Sequence, residues 1–134
     1  MDVTLISCEF TNNRANARGG AVKARNVICY DSIFTNNWAG DSGGAIYTES
    51  TVKCDNCIFS NNIAMNSGGA IMSRLDLMVY NSVFENNKAN KDWGGALYSL
   101  ANVKCVNSSF SGNHASTAGV NVSVKNCFSF ILFW

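Results

Sequence analysis

A phenylalanine recurs every 24 to 26 residues along this 134-residue chain, at Phe10, Phe34, Phe59, Phe84 and Phe110. No other feature narrows the fold as much. Three positions after each comes an asparagine: Asn13, Asn37, Asn62, Asn87 and Asn113. Two further on stands an alanine: Ala15, Ala39, Ala64, Ala89 and Ala115. A Gly-Gly-Ala-aliphatic block follows at Gly19 to Val22, Gly43 to Ile46, Gly68 to Ile71 and Gly94 to Leu97, so Gly20, Gly44, Gly69 and Gly95 share one position. The fifth block has decayed to Ala118-Gly119-Val120, and Val122, Val124 and Cys127 begin a sixth copy at the positions of Val103, Cys105 and Ser108. A fixed period of this length marks a solenoid, whose units are too small to bury an apolar face alone and stack on their neighbours.

The apolar positions within each unit step by two, the period of a strand. Val27, Cys29 and Ser32 precede Phe34 in that way, with one step of three that implies a bend. The residues at the bend, Asp31, Asn56, Asn81 and Asn107, tolerate left-handed backbone. A further strand follows the glycines. The expectation is an all-β fold: a right-handed single-stranded parallel β-helix of about five coils of roughly 25 residues, with three short strands per coil. It spans residues 1–127, with coils centred on the five Phe, and leaves 128–134 as an apolar end that is a cap or a truncation edge. Equivalent residues then lie about 4.8 Å apart, one above another. The Phe rings form one interior ladder and the asparagines another, while each glycine pair permits positive φ or a close backbone approach. The absence of proline suits a chain of pairing strands. A leucine-rich horseshoe is disfavoured by the missing Leu-x-x-Leu-x-Leu spine.

The tetrapeptides Phe10-Thr11-Asn12-Asn13, Phe34-Thr35-Asn36-Asn37, Phe59-Ser60-Asn61-Asn62, Phe84-Glu85-Asn86-Asn87 and Phe110-Ser111-Gly112-Asn113 alternate with Gly-Gly-Ala-Val, -Ile, -Ile and -Leu. This pattern, across about residues 3–125, resembles the repeat of the chlamydial polymorphic outer membrane proteins. The resemblance implies a surface-exposed or secreted β-helix passenger tied to adhesion. It also implies partners among host or cell-surface proteins and glycans, and a cell-surface or extracellular location. No secretory signal is legible at Met1-Asp2-Val3, and a fragment of a longer passenger, or a degenerate one without activity alone, fits the chain.

Charge and chemistry narrow the classes further. A formal net charge of +1 and the lack of a basic run argue against nucleic acid. The apolar run Phe130 to Trp134 is far short of the ~20 residues a membrane helix needs, so no insertion by this segment is expected. The six cysteines, with Cys29, Cys54 and Cys105 in one column and Cys8, Cys57 and Cys127 in another, read as buried column fillers, and neither metal nor cofactor is expected. The acids Asp31, Asp41, Asp55, Asp76, Asp92, Glu49 and Glu85 are scattered, which disfavours the alternative of a polysaccharide lyase or hydrolase needing paired carboxyls. Recognition is expected on outward columns: Lys23, Tyr47, Met72 and Tyr98 on one, and Arg14, Trp38, Ile63, Lys88 and His114 on another. The candidate ligand face is Trp38, Tyr47, Met72, Trp93 and Tyr98, because exposed aromatic side chains concentrate at recognition sites. Uncovered coil edges make end-to-end self-association an expected behaviour.

Overall fold

The computed structural model describes residues 1–117, and the backbone of residues 122–133. The first coil holds β1 (Asp2–Ile6), β2 (Glu9–Thr11), β3 (Arg14–Ala15) and β4 (Val22–Ala24). The second holds β5 (Asn26–Tyr30), β6 (Ile33–Thr35), β7 (Trp38–Ala39) and β8 (Ile46–Thr48). The third repeats the pattern as β9 (Val52–Asp55), β10 (Ile58–Ser60), β11 (Ile63–Ala64) and β12 (Ile71–Ser73). In the fourth, β13 (Leu77–Tyr80), β14 (Val83–Glu85) and β15 (Lys88–Ala89) lead into β16 (Leu97–Ser111), which runs on without a break into the fifth coil. There β17 (His114–Ala115) and the backbone strand β18 (Val122–Phe133) follow.

All pairing is parallel and coil-to-coil. Four ladders run up the stack: β1-β5-β9-β13-β16, β2-β6-β10-β14-β16, β3-β7-β11-β15-β17 and β4-β8-β12-β16. The register places Phe34 on Phe59 and Phe59 on Phe84, as the sequence spacing requires. The fold is thus the parallel β-solenoid expected from the repeat. To the three strands anticipated per coil it adds a two-residue one beginning at Arg14, Trp38, Ile63, Lys88 or His114.

The sixth copy departs from the sequence reading. Val122 pairs with Leu97, and Cys127 with Val103, so both sit one ladder earlier than expected. Val122 follows Ala115 by seven residues, the interval that separates Ala39 from Ile46 and Ala64 from Ile71, and that interval sets the register. The decayed block Ala118 to Val120, the Cys127 thiol and the side chains of the apolar end lie outside the described residues.

Stacking is carried by two interior columns. Successive Phe rings from Phe10 to Phe110 lie 5.0, 4.6, 4.8 and 4.9 Å apart and within 5° of parallel, a spacing typical of favourable offset stacks. Each fully buried Phe contributes about 1.5–3 kcal/mol by leaving water. Around them pack Val27, Cys29, Ile46, Val52, Cys54, Leu77 and Val79.

The asparagine column is a closed hydrogen-bond circuit. Asn62 Nδ2 donates to Asn87 Oδ1 at 3.0 Å and to the Phe34 carbonyl at 2.9 Å. Its Oδ1 accepts from both the backbone N–H and Nδ2 of Asn37, each at 3.0 Å. The same four bonds recur at Asn37 and Asn87. Every donor and acceptor of a buried amide is therefore used, which is the condition for burying one without loss.

Left-handed backbone turns the coil at three places. Asp31, Asn56, Asn81 and Asn107 have φ of 50–55°, and a second set, Asn12, Asn36, Asn61 and Asn86, 53–59°. The glycine pair divides its labour. Gly43 supplies the third left-handed turn at φ +69°, whereas Gly44 supplies proximity: a Cβ there would lie 2.0 Å from the Gly69 carbonyl oxygen and 2.8 Å from Ile63 backbone. Only a hydrogen fits between those chains.

Candidate recognition surface

Because the repeated positions face inward or build bends, chemistry that varies from coil to coil is left to the outward columns. On the fourth ladder, Lys23, Tyr47, Met72 and Tyr98 lie in register, flanked on either side by the inward residues of β4, β8, β12 and β16. Their outward placement agrees with the sequence reading. Their exposure does not: Tyr47 is 2% exposed and Met72 8%. The segment before the first glycine pair reaches over Tyr47. Arg18 lies over the Tyr47 ring at 4.9 Å and donates to its hydroxyl at 3.0 Å.

That covering loop is itself held in place. Arg18 Nε donates to Asp41 at 2.7 Å. Asp41 also accepts from Asn66 at 2.7 Å and Ser42 at 3.0 Å. Partial burial works to raise the Asp41 pKa, but the bonds from Arg18, Asn66 and Ser42 outweigh it and hold the carboxyl below its ordinary range. The Tyr47 phenol is pushed up by burial, against the nearby Arg18 charge. Beyond the strand, Arg74 donates to Glu49 at 3.0 Å, an exposed pair worth little to stability. Arg18, Asp41, Tyr47, Met72, Arg74 and Leu100 together line a cleft of about 300 Å³.

Higher up the same ladder, Trp93 rests on Tyr98 with ring centroids 5.6 Å apart, and Trp93 is 40% exposed. Four of the five residues marked in the sequence thus share one side: Tyr47, Met72 and Tyr98 in succession, with Trp93 on Tyr98. Trp38 does not join them. It stands on the short-strand ladder between Arg14 and Ile63, half-buried, with the Arg14 guanidinium 3.8 Å above its ring.

A further outward face was missed. On the first ladder Lys53 Nζ lies 6.0 Å from the Tyr30 ring and 5.8 Å from Tyr80, while Lys104 lies 5.7 Å from Tyr80. Tyr30 and Tyr80 each precede a repeat Phe by four, and Lys53 and Lys104 by six. Reading those two positions as columns would have found this alternation.

The remaining chemistry-bearing groups serve the stack. Ser32, Ser82 and Ser108 each donate to the carbonyl two residues before and accept a backbone N–H from the coil below. Cys8 and Cys57 take the same place, with Sγ contacting the Ile6 and Asp55 carbonyls at 3.3 and 3.4 Å. The thiol of Cys54, fully enclosed, is held well above its usual range by hydrogen bonding with Cys29 and Cys57 and by burial. That of Cys57 is drawn down, chiefly by the Cys54 bond. Among the described residues, Cys8, Cys29, Cys54 and Cys57 are free thiols. Asp31 and Asp55 are capped by Asn56 and Asn81 of the next coil at 2.7 and 3.0 Å. Among the described residues no group of three or more His, Cys, Asp or Glu is placed to hold a metal ion, and no helix is long and apolar enough to cross a membrane.

The Phe-Asn and Gly-Gly-Ala columns decide the chain's kinship. The family model of the Chlamydia polymorphic membrane protein (Chlamydia_PMP) repeat matches four times, at residues 7–25, 31–49, 56–74 and 81–100, over half of the chain. The chain belongs to this family. Each match opens at or just before the left-handed residue ahead of a Phe and ends beyond the glycine block, so one polymorphic membrane protein repeat corresponds to one coil of the solenoid. No curated protein and no solved structure matches the chain.

Proposed function

We propose that this chain is a non-catalytic structural and adhesive module of a surface-exposed or secreted polymorphic membrane protein, part of a longer β-helix passenger. In this reading it displays outward side chains to a host or cell-surface protein or glycan. The supporting observation is the division of labour within the coil. The shared Phe, Asn and Gly positions are consumed by stacking, and aromatic and charged groups that differ between coils lie outside, above all Trp93 and its neighbour Tyr98, with Arg18 over the covered Tyr47. Capping of Asp31 and Asp55 by asparagines supports a non-catalytic role, because general acid–base work needs carboxyls converging on one substrate.

The test is binding of the purified chain to host-cell surfaces, read by flow cytometry. Binding is expected, with a loss of about tenfold for the double replacement Trp93→Ala and Tyr98→Ala. A chain that folds by circular dichroism yet binds no cell surface, protein panel or glycan panel refutes the reading.

A further inference from the structure

We infer that the cleft beside Tyr47 binds an uncharged sugar residue of a glycan, gripped by Arg18 and Arg74 and resting on Met72 and Leu100. This deepens the recognition reading above and depends on it. The cleft, about 300 Å³, stands at the lower end of the ~300–1,000 Å³ range of ligand sites, enough for a single ring rather than an extended chain.

The walls are polar and already positioned. Arg18 is fixed by Asp41, by the Tyr47 hydroxyl and by the Tyr47 ring beneath it. Asp41 is fixed in turn by Ser42 and Asn66. Binding therefore orders little that is not ordered already. Each guanidinium carries five N–H donors. Arg18 directs two of its nitrogens at Asp41 and Tyr47, and Arg74 directs one at Glu49, so both keep donors to offer.

Charge selects the ligand. Two guanidiniums stand with two carboxylates, Asp41 and Glu49, so the cleft is neutral as a unit. An anion gains from the arginines and loses to the acids; a cation meets the reverse. An uncharged group bearing both donors and acceptors gains from all four. Sugar hydroxyls have that character, and the C–H face of a pyranose suits the apolar floor. Leu100, 40% exposed and not part of the core cluster, supplies that floor with the Met72 thioether. Tyr47 is too enclosed to stack on a ligand, and its role is to hold Arg18.

An array of neutral oligosaccharides of glucose, galactose, mannose and N-acetylhexosamines, beside sialylated, uronic and sulfated ones, tests this with the full chain. Neutral glycans are expected to be retained. Arg18→Ala and Arg74→Ala are each expected to weaken them about tenfold, while Glu9→Ala, at an exposed position on the second ladder, leaves them unchanged; unaltered circular dichroism would show the variants folded. Retention of anionic glycans alone, or neutral binding indifferent to both arginines, overturns the inference. Cell binding that survives enzymatic removal of neutral glycans overturns it too, pointing to a protein ligand and leaving the adhesive reading in place. Absence of any binding overturns both.

Discussion

Asn61 and Asn62 are adjacent and chemically identical, yet the structure assigns them opposite sensitivities to mutation. Asn62 is 0% exposed and takes part in four hydrogen bonds to two neighbouring coils. Replacement by Ala removes all four. At about 1 kcal/mol net per bond, the loss is about 4 kcal/mol, a large part of an ordinary domain's total of roughly 5–15 kcal/mol. Asn62→Asp keeps the shape and the acceptor but turns a donor into an oxygen facing Asn87 Oδ1 and the Phe34 carbonyl. It also buries an unpaired charge, so at pH 7 it costs more than Ala. Its introduced carboxyl has a raised pKa in the folded state, which then binds more protons than the unfolded chain. Stability of this variant relative to the parent therefore rises as pH falls from that raised value toward the ordinary ~4. Asn61, exposed with φ of 55°, tolerates Asp within about 0.5 kcal/mol. Asn13, at the first coil, donates one side-chain bond, to Asn37, and its replacement by Ala costs about 1 kcal/mol. Guanidinium unfolding followed by far-ultraviolet circular dichroism at pH 7 and pH 4.5 measures all four variants. Equal losses for Asn61→Asp and Asn62→Asp, or an Asn62→Asp variant within about 1 kcal/mol of the parent, would refute the closed circuit as the source of coil cohesion.

Two further outcomes follow from the interior. Gly44→Ala is expected to cost more than about 3 kcal/mol, since the atoms a Cβ meets are backbone of Ile63 and Gly69 and cannot rotate away; a thermal midpoint close to the parent's would show that the coils can part. Among the described cysteines, Cys8 is the half-exposed one, so iodoacetamide on the native chain should label it first, with Cys29, Cys54, Cys57 and Cys105 following only on denaturation. Rapid labelling of Cys54 or Cys57, read by peptide mass spectrometry, would contradict their burial.

The repeat columns are legible in the sequence because a solenoid imposes the same environment on the same position of every coil. Five Phe and five Asn at one period leave no other arrangement in which each finds its own kind next door. The bends at Asp31, Asn56, Asn81 and Asn107 were legible for a local reason, the left-handed tolerance of Asn and Asp. Where the repetition lapses, so did the reading. With the glycine pair reduced to Gly119, the likeness of Val122, Val124 and Cys127 to Val103, Cys105 and Ser108 assigned Val122 to the ladder of Val103, whereas pairing with β16 put it beside Leu97.

Outward placement of Tyr47 and Met72 followed from strand alternation, but their covering did not, because exposure depends on what a neighbouring loop does. Arg18, Asp41, Tyr47 and Arg74 come from successive coils and occupy positions that do not repeat, so no period links them. The sequence by itself determined the coil, its ladders and its bends, since those depend on each residue's own geometry and on copies of itself. Only the tertiary structure decided that Arg18 would close over Tyr47 and face Arg74 across a cleft. That juxtaposition depends on parallel register and loop path, which bring unlike residues 23 to 29 positions apart into hydrogen-bond contact.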